Sequence, residues 1–158
     1  MSIVIETNFE FNKPLERRDA SKIKLIILHH RAGDGDVESI HEAHKRRGWA
    51  GIGYHFYIRK DGTIYKGRPT DFIGAHCGGC NTSTIGICLE GNFVDKDVPS
   101  VEQLDALAFI VHEIKLEYPN VYRVLNHRDL CKTLCPGVDL KAMIKGVKKD
   151  GYFRKDYK

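Results

Sequence analysis

Three side chains far apart in the sequence share a chemistry: His29, His127 and Cys135. Imidazole nitrogen and thiolate sulfur are donors that zinc accepts, and a catalytic zinc site uses three protein ligands while keeping a fourth position open. His29 follows the apolar run Lys24 to Leu28, and His127 follows Tyr122 to Leu125 and Asn126. Strand ends suit such ligands, because a rigid sheet fixes their geometry while the loop beyond gives access. Cys135 stands eight residues after His127, in Cys135-Pro136-Gly137, a tight loop that would return its thiol beside that ring. Spacing alone leaves a plainer alternative open, since a histidine at a strand end also serves as a hydrogen-bonded surface residue.

A second set of thiols competes for the same cysteine. Cys77-Gly78-Gly79-Cys80, with Cys131 and Cys135, has the makings of a structural four-cysteine zinc site, which would make the protein a binding module. The Cys-x-x-Cys could also be a redox pair, but its Gly-Gly centre offers no helix start to lower a thiol pKa. Two free thiols in a flexible loop is the simpler reading. Cys88, in an apolar strand, reads as a core residue. His41 and His44, three apart on one helix, read as a solvated or partly buried helix face, and His112 as a helix-surface residue.

The elements that must position these groups are marked locally. Val37 to Arg47 suits a helix, with Asp36 as N-cap and Gly48 just past its end. Tyr54 to Arg68 reads as a hairpin about Asp61-Gly62. Ile85 to Glu90 places Ile85, Ile87 and Leu89 on one face of a strand, and Gly86, Cys88 and Glu90 on the other. Ser100 and Gln103 form a capping box before a helix that Pro119 closes, and a final short helix is expected from Asp139 to Lys148. Strands alternate with helices, so the expected class is α/β, a mixed central sheet flanked by helices. Residues 1–22 read as an irregular N-terminal arm, 23–148 as one catalytic domain and 149–158 as a basic tail.

Composition sets the outer limits. A chain of 158 residues, 42% hydrophobic and 29% charged, is one globular domain. Its longest apolar run, Ala106 to Val111, is far too short for a transmembrane segment. No basic region followed by a long apolar stretch opens the chain, so no signal peptide is expected and synthesis is cytoplasmic. Five cysteines, an odd number, then argue against a secreted disulfide framework. The net charge of +4 is unevenly spread: residues 141–158 carry +5 and the rest −1. A solvated tail explains this, as does contact with a polyanion; no aromatic-interleaved basic motif points to nucleic acid.

Seven short segments then occur in a telling order: Leu28-His29-His30, Gly53-Tyr54-His55-Phe56, Asp61-Gly62-Thr63, Gly74-Ala75-His76, Ser83-Thr84-Ile85-Gly86-Ile87, Asn126-His127-Arg128-Asp129 and Cys135-Pro136-Gly137. Together, over residues 23 to about 145, they resemble the zinc-dependent N-acetylmuramoyl-L-alanine amidases of phage endolysins and peptidoglycan-recognition proteins. The resemblance implies that fold, Zn2+ as cofactor, and His29, His127 and Cys135 as its ligands, with His30 a non-ligand neighbour. It implies Tyr54 as the active-site tyrosine, His76 and Asn81 in the substrate groove, and Trp49 as a groove wall. Some phage members carry a lysine two residues before the zinc cysteine. This chain has Thr133 there, as do recognition proteins that retain amidase activity, which makes Thr133 the second catalytic candidate. Glu90 is a further candidate for moving a proton. The implied partner is peptidoglycan, cut by a monomer between the lactyl group of N-acetylmuramic acid and L-alanine. The implied setting is release to the wall at lysis, through a holin pore, or cell-wall recycling in the cytosol. The alternative on the same fold is a peptidoglycan-binding protein without hydrolysis.

Overall fold

The computed structural model describes residues 2–146. The expected basic tail, residues 149–158, and the last part of the expected C-terminal helix lie outside the described residues. Six strands form one mixed sheet: β1 (Val4–Ile5), β2 (Leu25–His30), β3 (Phe56–Ile58), β4 (Ile64–Lys66), β5 (Thr84–Leu89) and β6 (Arg123–Asn126). Their spatial order is β1-β4-β3-β5-β2-β6, with only the β3–β4 hairpin antiparallel. Parallel strands must be covered on both faces, and β2 and β5 are buried along nearly their whole length and mostly apolar, the exceptions being His29 and His30 at the end of β2 and Thr84 at the start of β5.

The two faces carry different residues because side chains alternate along a strand. Ile26, Leu28, Ile85, Ile87, Leu89, Phe56 and Ile58 pack against α2 (Val101–Glu117), whose inner face supplies Leu104, Leu107, Ile110, Val111 and Ile114. Tyr57 and Cys88 face the other way, beneath Val37 and Ile40 of α1 (Val37–Arg46). His29 pairs with Cys88 in the β2–β5 register. A short α3 (Leu140–Met143) follows the site loop.

Each helix starts where its sequence says. Asp36 accepts from the Ser39 amide at 2.8 Å, and Ser100 and Gln103 exchange both bonds of a capping box. The arm departs from its reading as irregular chain. Residues Val4 and Ile5 extend the sheet beside β4, and Phe9 stacks on His41 at 4.2 Å. The guanidinium of Arg18 runs inward to the carbonyls of Thr70, Asn81 and Thr84 and to His55 Nε2. Burial lowers its pKa to about 10. A half-buried cation with that many acceptors ties the arm onto the body of the domain.

Candidate functional site

β2 and β6 run parallel and end at the same edge, Leu28 opposite Asn126, so His29 and His127 emerge side by side. Open sheets bind ligands at this carboxyl edge. The two rings lie 4.4 Å apart between centroids. Cys135 reaches them because the loop after His127 is tied down: Arg128 N–H donates to the Cys135 carbonyl at 2.8 Å, and its guanidinium to the Gly137 carbonyl at 2.7 Å. The Cys135–Pro136 peptide is cis. Below, Asn126 donates to Asp139 at 2.8 Å while its own amide donates to Asp129 at 2.9 Å. The ligand atoms of His29, His127 and Cys135 consequently lie within 4.8 Å of one another.

Electrostatics fit that donor set to a soft divalent ion. Burial first, then the neighbouring His127 and His30, hold His29 well below its usual pKa, and burial lowers His127. Both rings are therefore neutral and offer lone pairs. Burial pushes the Cys135 thiol up to about 11, a cost that a coordinated cation reverses by binding the thiolate. Two neutral imidazoles and one thiol, with His127 and Cys135 only half-buried, match a catalytic zinc site with an open side.

His76, expected in the substrate groove, is half-buried and stands behind the His29 ring. Its Nδ1 lies 2.9 Å from His29 Nε2, and its Nε2 lies 3.1 Å from Thr84 Oγ1. With His29 Nδ1 facing the Cys135 sulfur at 3.8 Å, the consistent proton assignment has His29 Nε2–H donating to His76, and His76 Nε2–H donating to Thr84. Such a partner fixes the tautomer and orientation of a ligand ring. Gly86 makes room for it: a Cβ there would stand 2.6 Å from His76 Cγ. Asn81 is likewise turned inward, its Oδ1 accepting from the amides of His76 and Cys77 at 2.9 Å, so it shapes the loop.

Tyr54 sits against the trio, its ring 5.1 Å from that of His29. Burial first, then the neighbouring Cys88 and Cys135 sulfurs, raise its pKa well above the normal value. It is a phenol, a donor. Trp49, 40% exposed, stands 4.6 Å from His44, and His44 stands 5.6 Å from Tyr54, so an aromatic wall runs from the surface to the trio. His44 is buried, not a solvated face: its Nδ1 accepts from the Gly53 amide, and burial lowers its pKa to about 4. His41 similarly accepts from the Ile52 amide. Their helical spacing with Val37 and Ile40, on the buried side of α1, was the available signal for both. Thr133 Oγ1 accepts from the Cys135 amide at 3.2 Å. Glu90 is committed elsewhere, to Arg59 at 2.7 Å and to the amides of Gly35 and Lys60. His30 accepts from the Phe93 amide on the far face of β2.

The four-cysteine reading fails on geometry. Cys77 and Cys80 form a disulfide, not two free thiols; Cys131 lies 3.6 Å from Cys77, and Cys135 groups with His29 and His127.

Comparison with known proteins decides the family. Residues 19–138 match the family model Amidase_2, described as N-acetylmuramoyl-L-alanine amidase. The chain belongs to this amidase family. The endolysin of Enterobacteria phage K11 is 37% identical over 116 residues, covering 71% of this chain and 76% of that protein. Peptidoglycan recognition protein 1 of Bos indicus is 32% identical, covering 77% and 70%. Among solved structures, the endolysin N-acetylmuramoyl-L-alanine amidase LysCS from Clostridium intestinale URNW superposes with a TM-score of 0.81 at 37% identity, covering 88% of this amidase and 93% of that chain. Enzyme class and fold therefore agree between sequence motifs, geometry and relatives.

Proposed function

We propose that this amidase cuts the amide between the lactyl group of N-acetylmuramic acid and L-alanine of peptidoglycan stem peptides, with Zn2+ held by His29, His127 and Cys135. The observation that carries the assignment is the convergence of those three ligand atoms within 4.8 Å at the carboxyl edge of β2 and β6. When bound, Zn2+ polarises the amide carbonyl and lowers the pKa of a water.

The protein's own groups do the rest. His76 and Thr84 hold the His29 ring in the tautomer that presents Nδ1. Tyr54, kept protonated by burial, donates to the carbonyl oxygen as it gains charge. Thr133 keeps its hydroxyl proton free, because its oxygen accepts from Cys135, and offers it to a water or a substrate oxygen. Trp49 supplies the wall along which the glycopeptide lies. The setting is a phage or prophage endolysin acting on the wall at lysis, which the similarity to the phage K11 endolysin supports.

Metal content and hydrolysis of ligand variants test this. His29→Ala and Cys135→Ser are expected to lose both zinc and hydrolysis of purified peptidoglycan. Near-normal activity in either variant contradicts the assignment. Tyr54→Phe is expected to keep zinc and turn over roughly a hundredfold slower, the usual loss for one oxyanion donor.

A further inference from the structure

Cys77, Cys80 and Cys131 have no part in that mechanism, yet they gather beside it. Cys77 Sγ and Cys131 Sγ lie 3.6 Å apart, and together with a ring nitrogen of His127 they fall within 4.8 Å of one another. Two sulfurs about 2.3 Å from one tetrahedral zinc stand roughly 3.8 Å apart, so the Cys77–Cys131 separation already matches an edge of a zinc–thiolate tetrahedron. Cys80 adds a third sulfur at Cys-x-x-Cys spacing, which chelates zinc in structural sites. Between them, Gly78 and Gly79 are exposed, and a Cβ on either would touch nothing within 4 Å, so the loop can re-space its two sulfurs.

We propose that reduction of the Cys77–Cys80 disulfide creates a second, thiophilic-metal site, in which Cys77, Cys80 and Cys131 supply three thiolates and His127 the fourth donor. A phosphine reductant supplies the two electrons, leaves as the phosphine oxide with the oxygen of water, and yields two thiols; metal binding then releases the thiol protons to solvent. His127 belongs to both donor sets, so an ion at the second site removes a ligand from the catalytic trio. This inhibitory consequence rests on the zinc reading of His29, His127 and Cys135. The thiolate site itself does not.

Cobalt(II) added to the metal-free protein is the probe, read through its sulfur-to-cobalt charge-transfer band, which grows with the number of thiolates. Oxidised wild type is expected to show one thiolate, from Cys135, and phosphine-reduced wild type about three times that intensity, for three sulfurs. Equal intensity in both states overturns the proposal. In Cys131→Ser the gain on reduction is expected to vanish at cobalt concentrations that saturate the reduced wild type. An undiminished gain would mean that Cys77 and Cys80 chelate alone, and also overturns it. Excess zinc should slow hydrolysis by reduced wild type and spare the oxidised protein; insensitivity of the reduced enzyme contradicts the sharing of His127. In Cys135→Ser the oxidised-state band is expected to vanish while the reduced-state gain persists; an oxidised-state band that survives in this variant would count against the catalytic assignment and leave the second site standing.

Discussion

At the residue scale, the orientation of His29 depends on a chain of groups that no ligand touches. His76 fills the space beside Gly86 and accepts a hydrogen bond from His29 Nε2–H, leaving Nδ1 toward Cys135. Gly86→Ala puts a methyl where the His76 ring stands, and the expected result is zinc affinity lowered about ten- to a hundredfold, the usual range when a ligand's supporting partner is lost. A competition titration against a chelator measures this; unchanged affinity would show that His29 needs no support from behind. The grouping of His29, His127 and Cys135 was legible through the ordered motifs of the family resemblance, whereas residue type and spacing alone left a surface histidine and a four-cysteine site open. The inward turn of His76 and Asn81 was not legible, because it depends on which strand face lies behind them. The Cys77–Cys80 pairing was equally hidden, since Cys-x-x-Cys spacing serves a disulfide, a metal site and two free thiols alike.

At the element scale, α2 covers one face of the sheet and is fixed at its start by Ser100. That side chain accepts from the Gln103 amide and donates to the Lys60 carbonyl in the turn of the hairpin. Ser100→Ala should cost about 0.5–2 kcal/mol, the range for a lost N-cap. The shift in urea midpoint at unchanged m-value reports it, and no shift would mean that the cap is replaced by water. The hairpin, the Asp36 cap and the capping box were readable from sequence because their partners lie within a few residues. The arm was not: Val4 and Ile5 pair with Ile64 and Tyr65, and Arg18 finds its acceptors more than 30 residues away. Such contacts have no local signature. Arg18→Met removes the guanidinium and leaves the carbonyls of Thr70 and Thr84 without that donor. A destabilisation of about 1–3 kcal/mol is expected, as when buried acceptors lose their donor, read as a lowered unfolding midpoint.

At the scale of the whole molecule, buried neutral histidines set the acid limit of the fold. Burial, and secondarily Arg18, lowers His55 to about 3; burial lowers His44 to about 4. Unfolding frees both to titrate near 6.5. Between those values the unfolded chain binds more protons, so stability is intact above about pH 6.5 and falls as pH drops toward 4. The slope for the fully buried His55 is about 1.4 kcal/mol per pH unit. Denaturant midpoints recorded with the metal-free protein from pH 7.5 to 4.5 should decline across that window, and a flat profile would mean that these rings are protonated in the folded state. Among the described residues no helix is long and apolar enough to cross a membrane.

The central claim joins one bond to one site, and product analysis addresses it most directly. Purified peptidoglycan is digested with zinc-loaded wild type and with His29→Ala, and the soluble products are weighed by mass spectrometry. Wild type is expected to release stem peptides bearing a free N-terminal L-alanine, and His29→Ala none. Intact muropeptides from zinc-loaded wild type, or the same free peptides from both proteins, would contradict it.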